Sequence, residues 1–296
     1  MAIMRRSFDI NSNDNTLFVT NQCNNHCIMC CQPPKRQNDL DRLFRENIYL
    51  VRSAPKELKV IGISGGEPTL LGERLFDLIA EIRCQLPNTE IHLLSNGRAF
   101  SNPVYAHKLK EVSDEKICVG IPFHSDYPGD HDLIAGAKGA YTETLLGLYT
   151  LASVKIAIEL RIVINRLNYN RLPIISEFIA KNIPFVNWVA LMGMEKTGFA
   201  VKNNEKIWVE PIEYIPQLTE AVQRLYDWDI DTAIYNIPLC LLPKDYHKFA
   251  EQSISDWKVK YLPLCKECVL KENCCGIFAT SVEPYVGLKP VVYGNV

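Results

Sequence analysis

Apolar runs of strand length alternate along most of this chain with longer amphipathic stretches. The runs are Leu17-Phe18-Val19-Thr20, then 59–64, 90–95, 116–122, 155–165 and 185–192. Between and after them, apolar positions recur at helical spacing near 39–52, 73–86, 103–112, 140–152, 171–181 and 211–227. Short, nearly all-apolar strands separated by helices predict a parallel sheet with its outer face covered, and six such βα units predict a barrel that stops short of the usual eight. Near residue 229 the rhythm changes. Asp231–Cys240 reads as one more short strand, and the remainder is turn-rich. The chain therefore reads as a partial (β/α)6 barrel over 1–228 and a small module over 229–296.

Chemistry in β/α barrels gathers where strands end, and the unusual polar and glycine-rich punctuation falls on that rim. The first strand runs into Cys23-Asn-Asn-His26-Cys27-Ile-Met29-Cys30, the second into Ser64-Gly65-Gly66-Glu67-Pro68, and the third into Ser95-Asn96-Gly97. His124-Ser125-Asp126 closes the fourth, and the fifth carries Arg161 in an otherwise apolar setting. A guanidinium there needs an anionic partner, either a ligand carboxylate or a structural acid such as Glu159.

Composition narrows the class. The 296 residues are 47% hydrophobic and 22% charged, enough to bury a full core, and the formal net charge is −2. With no dense basic block, charge gives no support to a nucleic-acid or membrane-surface partner. No stretch approaches the ~18 apolar residues of a membrane span, and the start lacks a secretory apolar segment, so a soluble cytoplasmic protein is expected. Eleven cysteines are too many for disulfides in a reducing compartment, and their clustering is that of metal ligands. Cys84 and Cys118 stand apart in apolar surroundings and read as small buried hydrophobes.

Three thiols at x3 and x2 spacing on one short loop call for a metal centre. A structural zinc takes four protein ligands, here completed by His26 or Cys31, whereas an iron–sulfur cube on three cysteines leaves one iron open to a non-protein ligand. CxxxCxxC followed by Gly-Gly-Glu-Pro resembles the radical S-adenosylmethionine (radical SAM) superfamily, with Met29 where an aromatic residue is usual. The resemblance implies a [4Fe-4S] cluster on Cys23, Cys27 and Cys30 whose open iron chelates SAM. It places Gly65, Gly66, Glu67 and Pro68 at the SAM ammonium and Ser95 and Asn96 at its ribose or methionine moiety, where Ser95-Asn96-Gly97 reads equally as a strand-ending turn, and Ser125 and Arg161 are the candidates for its carboxylate. It also implies reductive cleavage of SAM, with an external electron donor, to a 5′-deoxyadenosyl radical that abstracts a substrate hydrogen.

Beyond the barrel, Cys240 and Cys265-x2-Cys268-x5-Cys274 bring four thiols together. They resemble part of the SPASM and twitch appendages, which implies an auxiliary [4Fe-4S] cluster on Cys240, Cys265, Cys268 and Cys274. A zinc ribbon on the same thiolates is the alternative, and Cys275 is an alternative to Cys274. Asn236–Pro243, Ser253–Lys258 and Cys30-Cys31-Gln-Pro-Pro are similar to the C-type maturases of the His-Xaa-Ser peptide system. That similarity implies a ribosomally made precursor peptide as substrate and a larger radical SAM maturase as partner. The stretch before the first strand is too short for a separate peptide-recognition domain, so leader recognition falls to the partner or to an open lateral face. Two other readings stand beside this one: a radical SAM enzyme acting on a small metabolite or RNA, and a non-catalytic iron–sulfur electron carrier or sensor.

Overall fold

The computed structural model describes residues 8–12, 14–252 and 255–292. Parallel strands and helices alternate as the sequence pattern predicts: β1 (Thr16–Phe18), α1 (Leu40–Arg52), β2 (Val60–Ser64), α2 (Glu73–Gln85), β3 (Glu90–Leu94), α3 (Pro103–Ser113) and β4 (Ile117–Pro122). They are followed by α4 (Pro128–Ala135), α5 (Ala140–Ser153), β5 (Ala157–Val163), α6 (Leu172–Asn182) and β6 (Trp188–Met192). Two single-turn helices, α7 (Phe199–Lys202) and α8 (Asn204–Ile207), lead to α9 (Pro211–Asp227), β7 (Asp231–Tyr235) and β8 (Ala250–Glu251). A small hairpin pairs β9 (Val259–Lys260) antiparallel with β10 (Ile277–Phe278).

Strand order follows chain order from β1 to β8. The periodicity predicts six barrel strands and one further short strand in the module after residue 229; that strand forms as β7 and pairs with β6 in parallel from Trp188↔Asp231 to Met192↔Tyr235, while β8, which the pattern does not predict, pairs with β7. The chain divides into two compact units. The first comprises residues through His26 with Gln32–Pro122 and Ala135–Glu159; the second comprises Cys27–Cys31, Phe123–Ile134 and the chain from Leu160 onward.

In the first unit, β2 and β3 alternate strictly, with Ile61, Ile63, Ile91 and Leu93 buried and Gly62, Ser64, His92 and Leu94 on the other face. The buried stripe of α2 is Leu75, Phe76, Leu78, Ile79 and Ile82. Cys84 lies off that stripe and is exposed, and Cys118 is half-buried, so neither is the enclosed hydrophobe that its neighbours suggest. Asn102 caps α3 by accepting the Val104 N–H at 3.0 Å. In the second unit, Pro211 opens α9 behind a capping box in which the side chains of Glu210 and Glu213 each accept the other's backbone N–H. No helix among the described residues is long and apolar enough to cross a membrane.

Candidate functional site

The first unit builds one half of the cysteine loop by backbone contact. Gly66 N–H donates to the Thr20 carbonyl at 2.7 Å, and Glu67 N–H donates to that of Gln22 at 2.8 Å. A Cβ on Gly66 would lie 2.1 Å from the Gln22 oxygen, and one on Gly65 would lie 2.7 Å from the Thr20 oxygen. The two glycines are thus required by the chain itself, which passes directly against the residues that lead to Cys23.

Glu67 is fully buried and its carboxylate is committed within the protein. It accepts the Thr69 N–H and hydroxyl, the Ser95 hydroxyl at 2.8 Å and the Asn96 N–H at 2.7 Å. Burial pushes its carboxyl up, opposed by those four hydrogen bonds. The carboxylate ties the turn after β2 to the end of β3. Pro68 begins the short 3₁₀ turn that follows.

From that tie the hydrogen bonds run to the cysteine loop. Asn96 Nδ2 donates to Asn24 Oδ1 at 2.6 Å, while Arg98 Nη1 donates to the Asn24 carbonyl at 2.9 Å and to Asn25 Oδ1 at 2.7 Å. Glu143 of α5 holds the Arg98 Nε at 2.5 Å, and Gly147 lets α5 approach, because a Cβ there would sit 2.3 Å from the Gly97 oxygen. Asn24, Asn25 and Arg98 were not singled out by sequence reasoning, and the only hint was their position beside the two motifs. Cys23 Sγ accepts the Asn25 N–H at 3.3 Å. Burial pushes its thiol up, opposed by Asn25, Arg98 and Asn96.

The other half of the loop belongs to the second unit. Ile28 N–H donates to the Ile134 carbonyl of α4, Cys30 N–H to the Cys27 carbonyl, and Phe199 N–H to that of Cys30 at 2.8 Å. Asn203 Nδ2 donates to the Ile28 carbonyl at 2.8 Å. Met29 is buried with Ile134, Met194, Ala200 and Ile207, and Cys27 packs at the edge of this cluster. The flexible thioether does the space-filling that an aromatic ring would otherwise do. Ser125 is buried and its Oγ accepts the Tyr127 N–H at 3.1 Å. Arg161 is half-buried, with Nη2 3.5 Å from the Met192 sulfur.

The tail thiols are brought together in the same unit. Cys240, Cys265, Cys268 and Cys274 line one largely apolar cavity with Leu264 and Ile277. Backbone donors point at the sulfurs: Leu239 and Gly276 N–H at Cys274, and Val291 N–H at Cys268, each at 3.4 Å. Cys275 does not line the cavity; it is buried, with its Sγ 3.3 Å from the Gly276 carbonyl. A hydrogen bond from the Cys275 thiol, helped by the two amides against burial, lowers Cys274 to about 6, while burial pushes Cys240 up. Of the Ser253–Lys258 stretch, Ser253 and Ile254 lie outside the described residues. Lys258 pairs with Glu195 at 2.9 Å.

A parallel α/β sheet with a CxxxCxxC loop after its first strand and a Gly-Gly-Glu turn after its second has the order of elements of a class of cluster-bearing enzymes. The radical SAM superfamily matches residues 17–177, more than half of the chain, and the chain belongs to that superfamily. No curated protein matches. Among solved structures, the fold is similar to SuiB of Streptococcus suis bound to S-adenosylmethionine: TM-score 0.59, 12% identity, 81% of this chain and 53% of that one. SuiB bound to its precursor peptide SuiA gives 0.55 at 11% identity, over 74% of this chain and 48% of that one. HemN, the coproporphyrinogen III oxidase of Escherichia coli described as a radical SAM enzyme, gives 0.57 at 11% identity, over 72% and 52%. The chain spans about half the length of these structures.

Family membership implies a [4Fe-4S] cluster and SAM, and the donor set fits them. All eleven cysteines are free thiols, and the loop of Cys23, Cys27 and Cys30 has its backbone fixed on both sides.

Proposed function

We propose that this chain is a radical SAM enzyme that modifies a ribosomally made peptide of the His-Xaa-Ser type, with an auxiliary cluster in its tail. The observation that carries the reading is the cavity lined by Cys240, Cys265, Cys268 and Cys274, with amides already aimed at two of the sulfurs. The four thiols line one space, which suits an auxiliary cluster, with a zinc ion on the same thiolates as the alternative. The likeness to a peptide-bound SuiB supports the substrate class.

Cys23, Cys27 and Cys30 hold the SAM cluster, which when bound supplies the electron that splits SAM to methionine and the 5′-deoxyadenosyl radical. The protein's part is placement. Gly65 and Gly66 seat the cysteine loop, Glu67 fixes Ser95 and Asn96 in position, and main-chain groups of the Gly-Gly-Glu-Pro turn receive the SAM ammonium. Ser95 and Asn96 face its ribose or methionine moiety, and Ser125 and Arg161 take its carboxylate. Cys240, Cys265, Cys268 and Cys274 would hold the auxiliary cluster, and with all four thiolates bound it would supply electron transfer or a substrate contact rather than a SAM site. Residues 1–228 carry the radical chemistry and 229–296 the auxiliary module. A larger radical SAM maturase and an external electron donor are the partners, and the protein works in the cytoplasm. The likeness to HemN favours a second reading, action on a small molecule.

Anaerobic co-expression with a His-Xaa-Ser precursor and the partner maturase, followed by tandem mass spectrometry, tests the proposal. A mass change localised to the core peptide, dependent on this chain, is expected. An unchanged peptide together with SAM turnover on a small-molecule extract contradicts it.

A further inference from the structure

A polar pair that spans a strand has no part in the site described so far. On β3, Ile91 and Leu93 are buried on one face, which puts His92 and Leu94 on the other. His92 Nε2 lies 2.6 Å from Oε2 of Glu159 on β5. The strand between them is β4, and strands two apart are separated by roughly 10 Å, so both side chains must reach over β4 to meet. They meet at Gly120. A Cβ there would lie 3.0 Å from both His92 Nε2 and Glu159 Oε2, and 2.8 Å from Leu94 Cδ2. Any larger residue at position 120 therefore interferes with the pair.

The two members differ in exposure. Glu159 is nearly enclosed, with 5% of its side chain accessible, whereas His92 keeps 24%. A buried carboxylate requires donors, so Nε2 carries the proton toward Glu159. His92 Nδ1 makes no hydrogen bond among the described residues, and the side chain keeps part of its surface accessible. A carboxylate that fixes an imidazole's tautomer and presents its other nitrogen is the arrangement of an oriented base. Depth agrees with such a role. Gly120 is opposite Leu94 in register, and the Gly120 carbonyl accepts the Ser95 N–H at 3.1 Å, so the pair lies directly beneath the residues placed at SAM.

Resting on the reading of this chain as a peptide-modifying radical SAM enzyme, we propose that His92 accepts a proton from the substrate and that Glu159 is its positioning residue. A substrate O–H or N–H group gives its proton to Nδ1, the bonding pair stays on the oxygen or nitrogen, and the imidazolium formed is held by the Glu159 carboxylate. The step is a proton transfer without change of oxidation state. Gly120 provides the clearance that lets the pair form.

Two measurements on the reconstituted full chain test this. In the first, diethylpyrocarbonate labelling with peptide mapping reads accessible neutral imidazoles without any substrate. His92 is expected to be labelled while the buried His124 and His131 stay unlabelled, and a His92 that resists labelling overturns the proposal. In the second, the probe is a synthetic peptide of His-Xaa-Ser repeats, assayed with SAM, dithionite and the partner maturase. His92→Gly should lower kcat for peptide modification roughly 100-fold or more, with KM little changed and partial recovery in added imidazole. Glu159→Gln should give a smaller loss of the same kind. A His92→Phe variant that modifies the peptide at the parent rate overturns the proposal, as does a His92→Gly variant that imidazole does not restore. If the parent itself leaves the peptide unchanged, the peptide reading fails and the proposal falls with it, whereas a His92 that resists labelling overturns the proposal alone.

Discussion

The two cysteine sites of this chain are prepared in different ways. Around Cys23 the protein spends its hydrogen bonds on the backbone: the Gly65-Gly66 contact, the Asn24 and Asn25 anchors and the buried Glu67 all fix where the loop runs. The sulfur receives one amide, and burial raises its pKa. Around Cys274 the donors go to the sulfur itself, two amides and the Cys275 thiol, and its pKa falls to about 6. The N-terminal loop is organised for position, whereas in the tail the donors converge on one sulfur, that of Cys274. A three-thiol site that must leave an iron open to a ligand needs an accurately placed backbone, and the metal can supply the compensating charge. A four-thiol metal site of the kind proposed for the tail would gain from a thiolate stabilised beforehand, because ligation requires deprotonated sulfur. The tail is not uniform in this respect, since burial raises Cys240.

The contrast is broken most severely at the tripod. Replacing Cys23, Cys27 or Cys30 by Ala should abolish 5′-deoxyadenosine formation with dithionite, read by chromatography. Cys31, exposed and outside the spacing, should tolerate replacement. Next comes the tail: Cys265→Ala with Cys268→Ala should leave SAM cleavage partly alive while peptide modification is lost. If both activities fall together, the division of labour between the sites is wrong. A smaller effect isolates backbone placement. Gly66→Ala should cost about 3 kcal/mol in urea unfolding because backbone cannot yield, whereas Gly62→Ala, whose neighbour is the Thr16 side chain, should cost about 1 kcal/mol or less. Equal costs at the two positions would remove the argument for Gly66.

Much of the framework was legible in the sequence, because apolar alternation and helical stripes are dictated by burial, and strands β1 to β6 follow them. The misses have local causes. Pro128-Gly-Asp-His-Asp is poor in helix formers, yet its segment forms α4 and supports the cysteine loop through the Ile134 and Ala135 carbonyls. β8 has two residues and no pattern to read. Cys84 sits in an apolar neighbourhood in sequence but off the buried stripe of α2. At the candidate site the cysteines and the Gly-Gly-Glu turn announced themselves, while the commitment of Glu67 to internal donors could not be foreseen from its own segment. Only side-chain direction distinguishes Cys274 from Cys275. The pairing of His92 with Glu159 joins residues 67 positions apart and leaves no local trace.

A pH-dependent effect lies in a buried histidine pair of the second unit, with ring centroids 5.1 Å apart. Burial lowers His131 to about 4 and His124 well below its ordinary value. Both bind protons less readily when folded, so between about pH 6.5 and pH 4 the unfolded chain holds more protons and stability falls as pH is lowered. The slope from His131 should approach about 1.4 kcal/mol per pH unit within that window. Urea midpoints at pH 7.5 and 5 should therefore differ less in His131→Phe than in the parent; an unchanged difference contradicts the assignment.

The most direct measurement of the two-site account is iron and zinc content, with Mössbauer spectra, on the anaerobically reconstituted parent and on a variant lacking Cys23, Cys27 and Cys30. Two cubes predict about eight irons per chain in the parent and about half of them in the variant. A variant without iron, or a parent holding one zinc and about four irons, contradicts it.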